Sequence, residues 1–172
     1  MKQWISEVQS DNLELRFSVE SIVHAENSEF QNILIADTIE YGRMLLLDGA
    51  VMTTLKDEFV YHEMIAHVPL FAHPMPRRVA VIGGGDGGVI REILKHDCVQ
   101  EAVLIEIDEK VVQVSQKYLP EISYALADDR VTVLFEDGIQ YLKDKENEFD
   151  VIIIDSTDPV GPAEGLFSKE FY

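Results

Sequence analysis

Four acids stand at or just beyond the ends of short apolar runs. Asp86 lies inside the glycine cluster GGGDGG of residues 83–88, and Glu106 in the LIEID run of residues 104–108. Asp137 precedes Gly138, and Asp155 opens the DSTD run that ends at Asp158. Glycines between a strand and a helix let a ligand approach the backbone closely and leave N–H groups free at a helix start. An acid ending a second strand about 20 residues later has the spacing of a carboxylate that grips ribose hydroxyls. The glycine turn, with Gly83 and Gly85, and an acid of the LIEID run are therefore expected at a nucleoside. Carboxylates packed together repel one another and need a cation or protons to settle them. An acid within the glycine turn itself favours a ligand that presents an ammonium there over one that presents a carboxylate.

A HEMIAH run at residues 62–67 invites a zinc reading, which its spacing rejects. Histidines that share a metal on one helix face stand at i and i+4, whereas His62 and His67 are five apart and diverge by roughly 140°. No metal is expected.

The elements that must position these groups follow from periodicity. Runs at Leu13–Val19, Ser21–Glu26, Phe30–Asp37, Arg43–Asp48 and Val51–Thr54 read as strands of a small antiparallel sheet, with Asp48-Gly49 as a hairpin turn. Asp57 to about Pro69 reads as a helix capped by Thr54 or Asp57, with Phe59, Met64, Ile65 and Val68 as its apolar stripe. The HPMP run at 73–76 is a stiff link. Beyond it strands and helices alternate. Strands are expected at Val79–Ile82, Ala102–Ile107, Val131–Phe135 and Phe149–Ile154, and helices at Val89–Lys95, Glu109–Tyr118 and Ile139–Lys143. That rhythm predicts an α/β fold, a doubly wound Rossmann-like sheet with ligands beyond the strand ends, preceded by the small antiparallel sheet. The expected domains are residues 1–56, a helix and linker over 57–78, and a nucleoside-binding domain over 79–172.

Composition narrows the function. The 172 residues carry 14 basic against 32 acidic side chains, a net charge of −18, which argues against nucleic-acid binding and draws cations. No apolar run approaches the roughly 20 residues that cross a bilayer, and no signal-peptide stretch opens the sequence, so no membrane partner is expected. Cys98 is the single cysteine, read as a packing residue in a cytoplasmic protein.

The GGGDGG, DEFVYHEM (57–64), LIEID, DG (137–138) and DSTDPVGP (155–162) motifs resemble, in register from about Trp4 to Tyr172, those of the polyamine aminopropyltransferases, in particular the spermidine-forming bacterial branch. The resemblance implies a Rossmann-like, methyltransferase-like fold. It also implies transfer of an aminopropyl group from decarboxylated S-adenosylmethionine, a co-substrate, to putrescine, giving spermidine and 5′-methylthioadenosine without a cofactor. By the same resemblance Asp155 is the proton acceptor, Asp86 and Asp158 hold ammonium groups, and Tyr61 and His62 line the amine channel. Glu106 binds ribose, Asp137 and Gly138 contact adenine, and Gln31 and Pro162 add contacts to the nucleoside. A homodimer or homotetramer is expected. In the strand order 3-2-1-4-5-7-6 of that fold, strands five to seven would lie beyond Tyr172. The fourth strand is then an apolar edge, and turnover by these 172 residues alone is not expected. Two other readings stay open: an S-adenosylmethionine-dependent methyltransferase, and a non-catalytic nucleoside-binding remnant. Dinucleotide oxidoreduction is disfavoured, because no hydride-transfer residues suggest themselves.

Overall fold

The computed structural model describes residues 3–157 and 161–171. The chain divides into two compact units, Met1–Phe59 and Val60–Tyr172.

The first unit is an antiparallel meander of β1 (Gln3–Ser10), β2 (Leu13–Asn27), β3 (Asn32–Thr38), β4 (Gly42–Leu47) and β5 (Ala50–Thr54), hydrogen-bonded in that order. The Asp48-Gly49 turn predicted from sequence joins β4 to β5 with positive φ at both residues, 49° and 84°, the handedness that two-residue hairpins need. Two expectations are corrected. Residues 3–10, not assigned from sequence, form β1, whose pattern is largely exposed and so carries little alternation to read. Residues 13–27 form one continuous strand rather than two. Irregularities at Val19/Ser21 and Ile22/His24 absorb the pattern break that suggested a gap. Ile33, Ile35, Ala36, Met44, Leu45 and Leu46 are the buried centre of this unit. Glu7, itself buried, accepts the Val51 N–H at 2.7 Å and so ties the first strand to the last.

The second unit is built on four parallel strands, β6 (Arg78–Gly83), β7 (Glu101–Glu106), β8 (Val131–Phe135) and β9 (Val151–Asp155), in the order β8-β7-β6-β9. That is the 3-2-1-4 portion of the expected sheet. Because side chains alternate across a strand, Val79, Val81, Ala102, Leu104 and Ile153 enter one core, and Ala80, Ile82, Val103 and Ile105 the other. The first core is closed by α1 (Glu58–Ala72), α2 (Gly88–Ile93) and α3 (Glu109–Tyr118), through Ala66, Leu70, Val89, Ile90, Ile93 and Val112. A short α4 (Pro120–Ser123) and the 3-10 turn Tyr124–Ala127 complete that side. The second core receives Ile139, Tyr141 and Leu142 of α5 (Gly138–Leu142) and Leu166 of the 3-10 segment Gly161–Phe167. At the β9 end of the sheet Ile152 is exposed, as an edge strand leaves it.

Helix α1 departs from expectation in two ways. It runs three residues beyond Pro69, since proline removes one hydrogen bond without preventing the following turn, and His73 N–H still donates to the Pro69 carbonyl at 3.1 Å. Its buried residues are His62, Ala66 and Leu70, while Phe59, Met64 and Val68 of the expected stripe face outward and only Ile65 packs on the core. Hydrophobicity misled here because the buried stripe carries a histidine and an alanine. Cys98 is exposed, not a packing residue. It follows the end of α2, where the chain turns back over the surface.

Candidate active site

The parallel strands deliver their last residues to one edge. In the β6 and β9 ladder Gly83 lies opposite Asp155, and a Cβ on Gly83 would sit 2.1 Å from the Asp155 carbonyl oxygen. With φ at +79° as well, this position admits only glycine. The turn can therefore bring Asp86 round to the end of β9.

Three side chains converge there. His62, Asp86 and Asp155 each offer a ligand atom, and these atoms all lie within 4.8 Å of one another. His62 Nε2 is 3.4 Å from Asp86 Oδ2, and the other oxygen of Asp86 accepts the Gly88 N–H at 2.8 Å. Tyr61, one residue earlier on α1, donates its phenolic hydrogen to Asp155 Oδ1 at 2.8 Å. The cluster could surround a metal ion or an ammonium group, since both present positive charge to nitrogen and carboxylate donors.

Electrostatics follow from this packing. Burial, and next the negative charge of Asp86, push the Asp155 carboxyl up to about 6, against the hydrogen bond from Tyr61. Burial and the neighbouring Asp155 charge raise the Tyr61 phenol far above its ordinary value, so it stays a donor at any physiological pH. Asp155 is thus a carboxylate able to take up a proton near neutrality, which an exposed aspartate is not.

Glu106 forms a second station. Its Oε2 accepts the Gly85 N–H at 3.1 Å and its Oε1 the Asp108 N–H at 2.9 Å, which fixes the carboxylate beneath the glycine turn. Burial pushes it up to about 7 despite these backbone donors, with the charge of Asp108 adding to the rise.

The other expected site residues are placed less tightly. Asp137 caps α5, accepting Ile139 N–H at 2.8 Å and Gln140 N–H at 3.3 Å. Gly138 packs so closely on Ile82 that a Cβ would fall 2.4 Å from its Cγ2. Gln31 lies in the first unit, in the turn before β3, where its backbone N–H and carbonyl are both engaged by Ser28. Pro162 falls in the 3-10 segment Gly161–Phe167, and Asp158 lies outside the described residues.

His62 is buried rather than lining an open channel. Its ring occupies the space that a Cβ on Gly88 would take, 2.2 Å from its Cε1. From sequence Gly88 reads only as part of the turn, and a glycine that closes a glycine-rich turn gives no hint of a ring delivered by the helix before β6. Asp108, the side-chain cap of α3 through Lys110 N–H at 3.1 Å, was likewise read only as the end of a strand. An Asp preceding Glu109 and an apolar periodic run was a readable cap signal.

Residues 58–172 match the model of the spermine/spermidine synthase domain, and residues 3–54 that of the spermidine synthase tetramerisation domain. A polyamine aminopropyltransferase of Caldicellulosiruptor bescii is 56% identical over all 172 residues, and one of Moorella thermoacetica 55% identical over 169, or 98% of the chain. The chain spans only 62% and 60% of the length of these two relatives. Among solved structures, a spermidine synthase in complex with the transition state analogue AdoDATO superposes with a TM-score of 0.96 at 45% identity. The superposition covers 99% of this chain and 59% of that one. The spermidine synthase of Thermotoga maritima gives 0.92 at 43% identity, over 99% of this chain and 57% of that one. Sequence motifs, sheet order and both matched regions agree, and the chain belongs to the spermine/spermidine synthase family.

Proposed function

We propose that the protein transfers the aminopropyl group of decarboxylated S-adenosylmethionine to putrescine, yielding spermidine and 5′-methylthioadenosine. The observation that carries this reading is the meeting of His62, Asp86 and Asp155 within 4.8 Å, on the same sheet edge as Glu106. A sulfonium nucleoside that ends in an ammonium, and a diamine, both need negative charge beside a ribose acceptor. Family membership and the curated relatives named polyamine aminopropyltransferase support the same assignment.

The amine nitrogen attacks the aminopropyl carbon bound to sulfur. The C–N bond forms as the C–S bond breaks, the electron pair goes to sulfur as a neutral thioether, and the excess proton leaves the nitrogen. An alkylamine with a pKa of about 10.4 costs roughly 4–5 kcal/mol to deprotonate at pH 7. Asp155 takes the proton, and its elevated pKa makes it a better base for this than an exposed carboxylate. Asp86 holds the donor's ammonium and Asp158 the diamine's second one. Tyr61 orients Asp155 through its hydrogen bond, and His62 orients Asp86.

In this reading Glu106 binds the ribose, Asp137 and Gly138 border the adenine, Gly83 and Gly85 admit the nucleoside to the backbone, and Gln31 and Pro162 complete its contacts. No cofactor or metal takes part. Residues 3–54, matching a tetramerisation domain, serve oligomer assembly, and residues 79–172 bind the nucleoside. The lone cysteine fits a cytoplasmic setting. Among the described residues no helix is long and apolar enough to cross a membrane.

The test is an intact-mass measurement followed by incubation with putrescine and, in separate reactions, decarboxylated or ordinary S-adenosylmethionine. Spermidine and methylthioadenosine from the decarboxylated donor alone support the reading. A methylated product from the ordinary donor would replace it with a methyltransferase, and nucleoside binding without turnover would leave a binding module.

A further inference from the structure

A second polar cluster joins α1 to the end of α2, and the proposed reaction does not use it. His67 Nδ1 and His96 Nε2 lie 2.9 Å apart, a hydrogen bond between two imidazoles. The other nitrogen of His67 is 3.2 Å from Oε2 of Glu92, whose side chain is 1% exposed. Glu92 also receives Arg91 Nε at 2.8 Å and Lys95 Nζ at 2.5 Å. The Phe71 ring covers His96 at 4.8 Å and His67 at 6.0 Å.

The proton positions follow from the partners. Burial works to raise the Glu92 carboxyl, but hydrogen bonds from Lys95 and Arg91 override it and hold it below its ordinary value, so Glu92 is an ionised acceptor. His67 Nε2 therefore carries hydrogen. Between His67 Nδ1 and His96 Nε2 there is room for one proton, because two N–H groups facing each other at that separation repel. Among the described residues the charged group in contact with the pair is Glu92, which in turn is held by its neighbours Arg91 and Lys95. Burial, and next the positive charge that His67 can carry, pull the His96 pKa down against the opposing charge of Glu92.

The position of this cluster gives it a consequence. Helix α1 buries only His62, Ala66 and Leu70, a narrow stripe at i, i+4 and i+8, and presents Met64, Val68 and Phe71 outward. Its polar fastenings are thus a large part of what holds it. His62 pins it near one end and His67, just beyond Ala66, pins it further along. Tyr61 and His62 ride on the same rigid helix.

We infer that His67, His96 and Glu92 are positioning residues, a proton-sensitive fastening that sets α1, and through it Tyr61 and His62, against the carboxylates Asp155 and Asp86. The importance of that placement rests on Tyr61 and His62 orienting Asp155 and Asp86 in the proposed reaction, while the fastening itself does not. Sign follows from the geometry: a histidine whose folded pKa is depressed supports the fold fully above its unfolded value near 6.5 and loses that support as pH falls through its folded value.

The experiment is amide hydrogen exchange on the purified protein at pH 7.5 and 5.5, corrected for intrinsic exchange chemistry, with β6 and β7 amides as internal reference. In the natural protein, protection of residues 65–72 falls about tenfold relative to the reference on acidification, the scale of one lost hydrogen bond. In His96→Gln the amide nitrogen stands in place of Nε2 as a neutral donor, and the acid loss shrinks to less than about twofold. Imidazole ¹⁵N shifts, which read tautomers without any substitution, place hydrogen on His67 Nε2 at pH 7.5. Equal acid loss in both proteins, no selective loss in the natural one, or a His67 Nε2 without hydrogen would overturn the inference. Exchange requires no turnover, so failure of aminopropyl transfer would sink the proposed reaction and leave this result standing.

Discussion

The phenol of Tyr61 donates a hydrogen bond of 2.8 Å to Asp155, 94 positions later in the chain, and so joins α1 to the end of β9. This bond lowers the Asp155 pKa while burial and Asp86 raise it. Tyr61→Phe removes the only one of these effects that comes from the phenol. The acid limb of the pH profile of kcat/KM is expected to move upward by about half to one unit. A pH-rate series on both proteins measures it, and an unmoved limb would detach Tyr61 from the proton acceptor.

Asp155→Asn keeps the shape and the bond from Tyr61 but cannot take a proton. Turnover falls by at least about 10²-fold. Stability moves the other way. A carboxyl whose folded pKa is raised supports the fold fully below its unfolded value, near 3.8, and loses that support as pH rises through about 6. The variant is therefore expected to melt higher than the natural protein at pH 8, with the difference vanishing below about pH 4. Thermal melts across that range decide it.

Glu106 predicts pH-linked nucleoside binding. Ribose hydroxyls donate to the ionised carboxylate, and the group titrates at about 7 in the free protein. Affinity for methylthioadenosine should rise about tenfold between pH 6 and pH 8, with proton release below pH 7. Calorimetry in buffers of differing ionisation enthalpy reads the released proton directly. In Glu106→Gln both the pH dependence and the proton release disappear, and binding is weaker throughout.

Gly88→Ala puts a methyl group where the His62 ring lies, 2.2 Å from Cε1. The ring must leave its seat beside Asp86. A stability loss of about 1–3 kcal/mol is expected, together with weaker binding of decarboxylated S-adenosylmethionine, whose ammonium Asp86 holds. Chemical denaturation and titration with decarboxylated S-adenosylmethionine test the two parts separately, and a variant matching the natural protein in both would show that His62 has another place to go.

How much of this was legible beforehand depends on what each residue does. The Asp48-Gly49 hairpin and the four parallel strands announced themselves because turn chemistry and β-branched runs are local signals. An acid on the strand after the glycine turn was readable because its distance is fixed by one strand-helix-strand unit, while the choice of Glu106 over Asp108 came from the family motifs. The divergence of His62 and His67 was readable from helical geometry alone, and the two do engage different partners, Asp86 and Glu92. The buried face of α1 was not, since a stripe of histidine, alanine and leucine scores as less apolar than the Phe59, Met64 and Val68 that stay outside. Nor was the seat that Gly88 gives His62, or the link from His67 to His96, because both arise from packing between elements distant in sequence.

The proposed chemistry requires that carboxylates at the mouth of the parallel sheet hold a cationic nucleoside by both ends, and a crystal soaked with decarboxylated S-adenosylmethionine tests this most directly. The account predicts ribose hydroxyls on Glu106 and the terminal ammonium about 2.7–3.0 Å from Asp86, with the carbon beside sulfur facing Asp155. Density for the nucleoside away from Glu106, or its ammonium turned to solvent with Asp86 still paired to His62 alone, would contradict it.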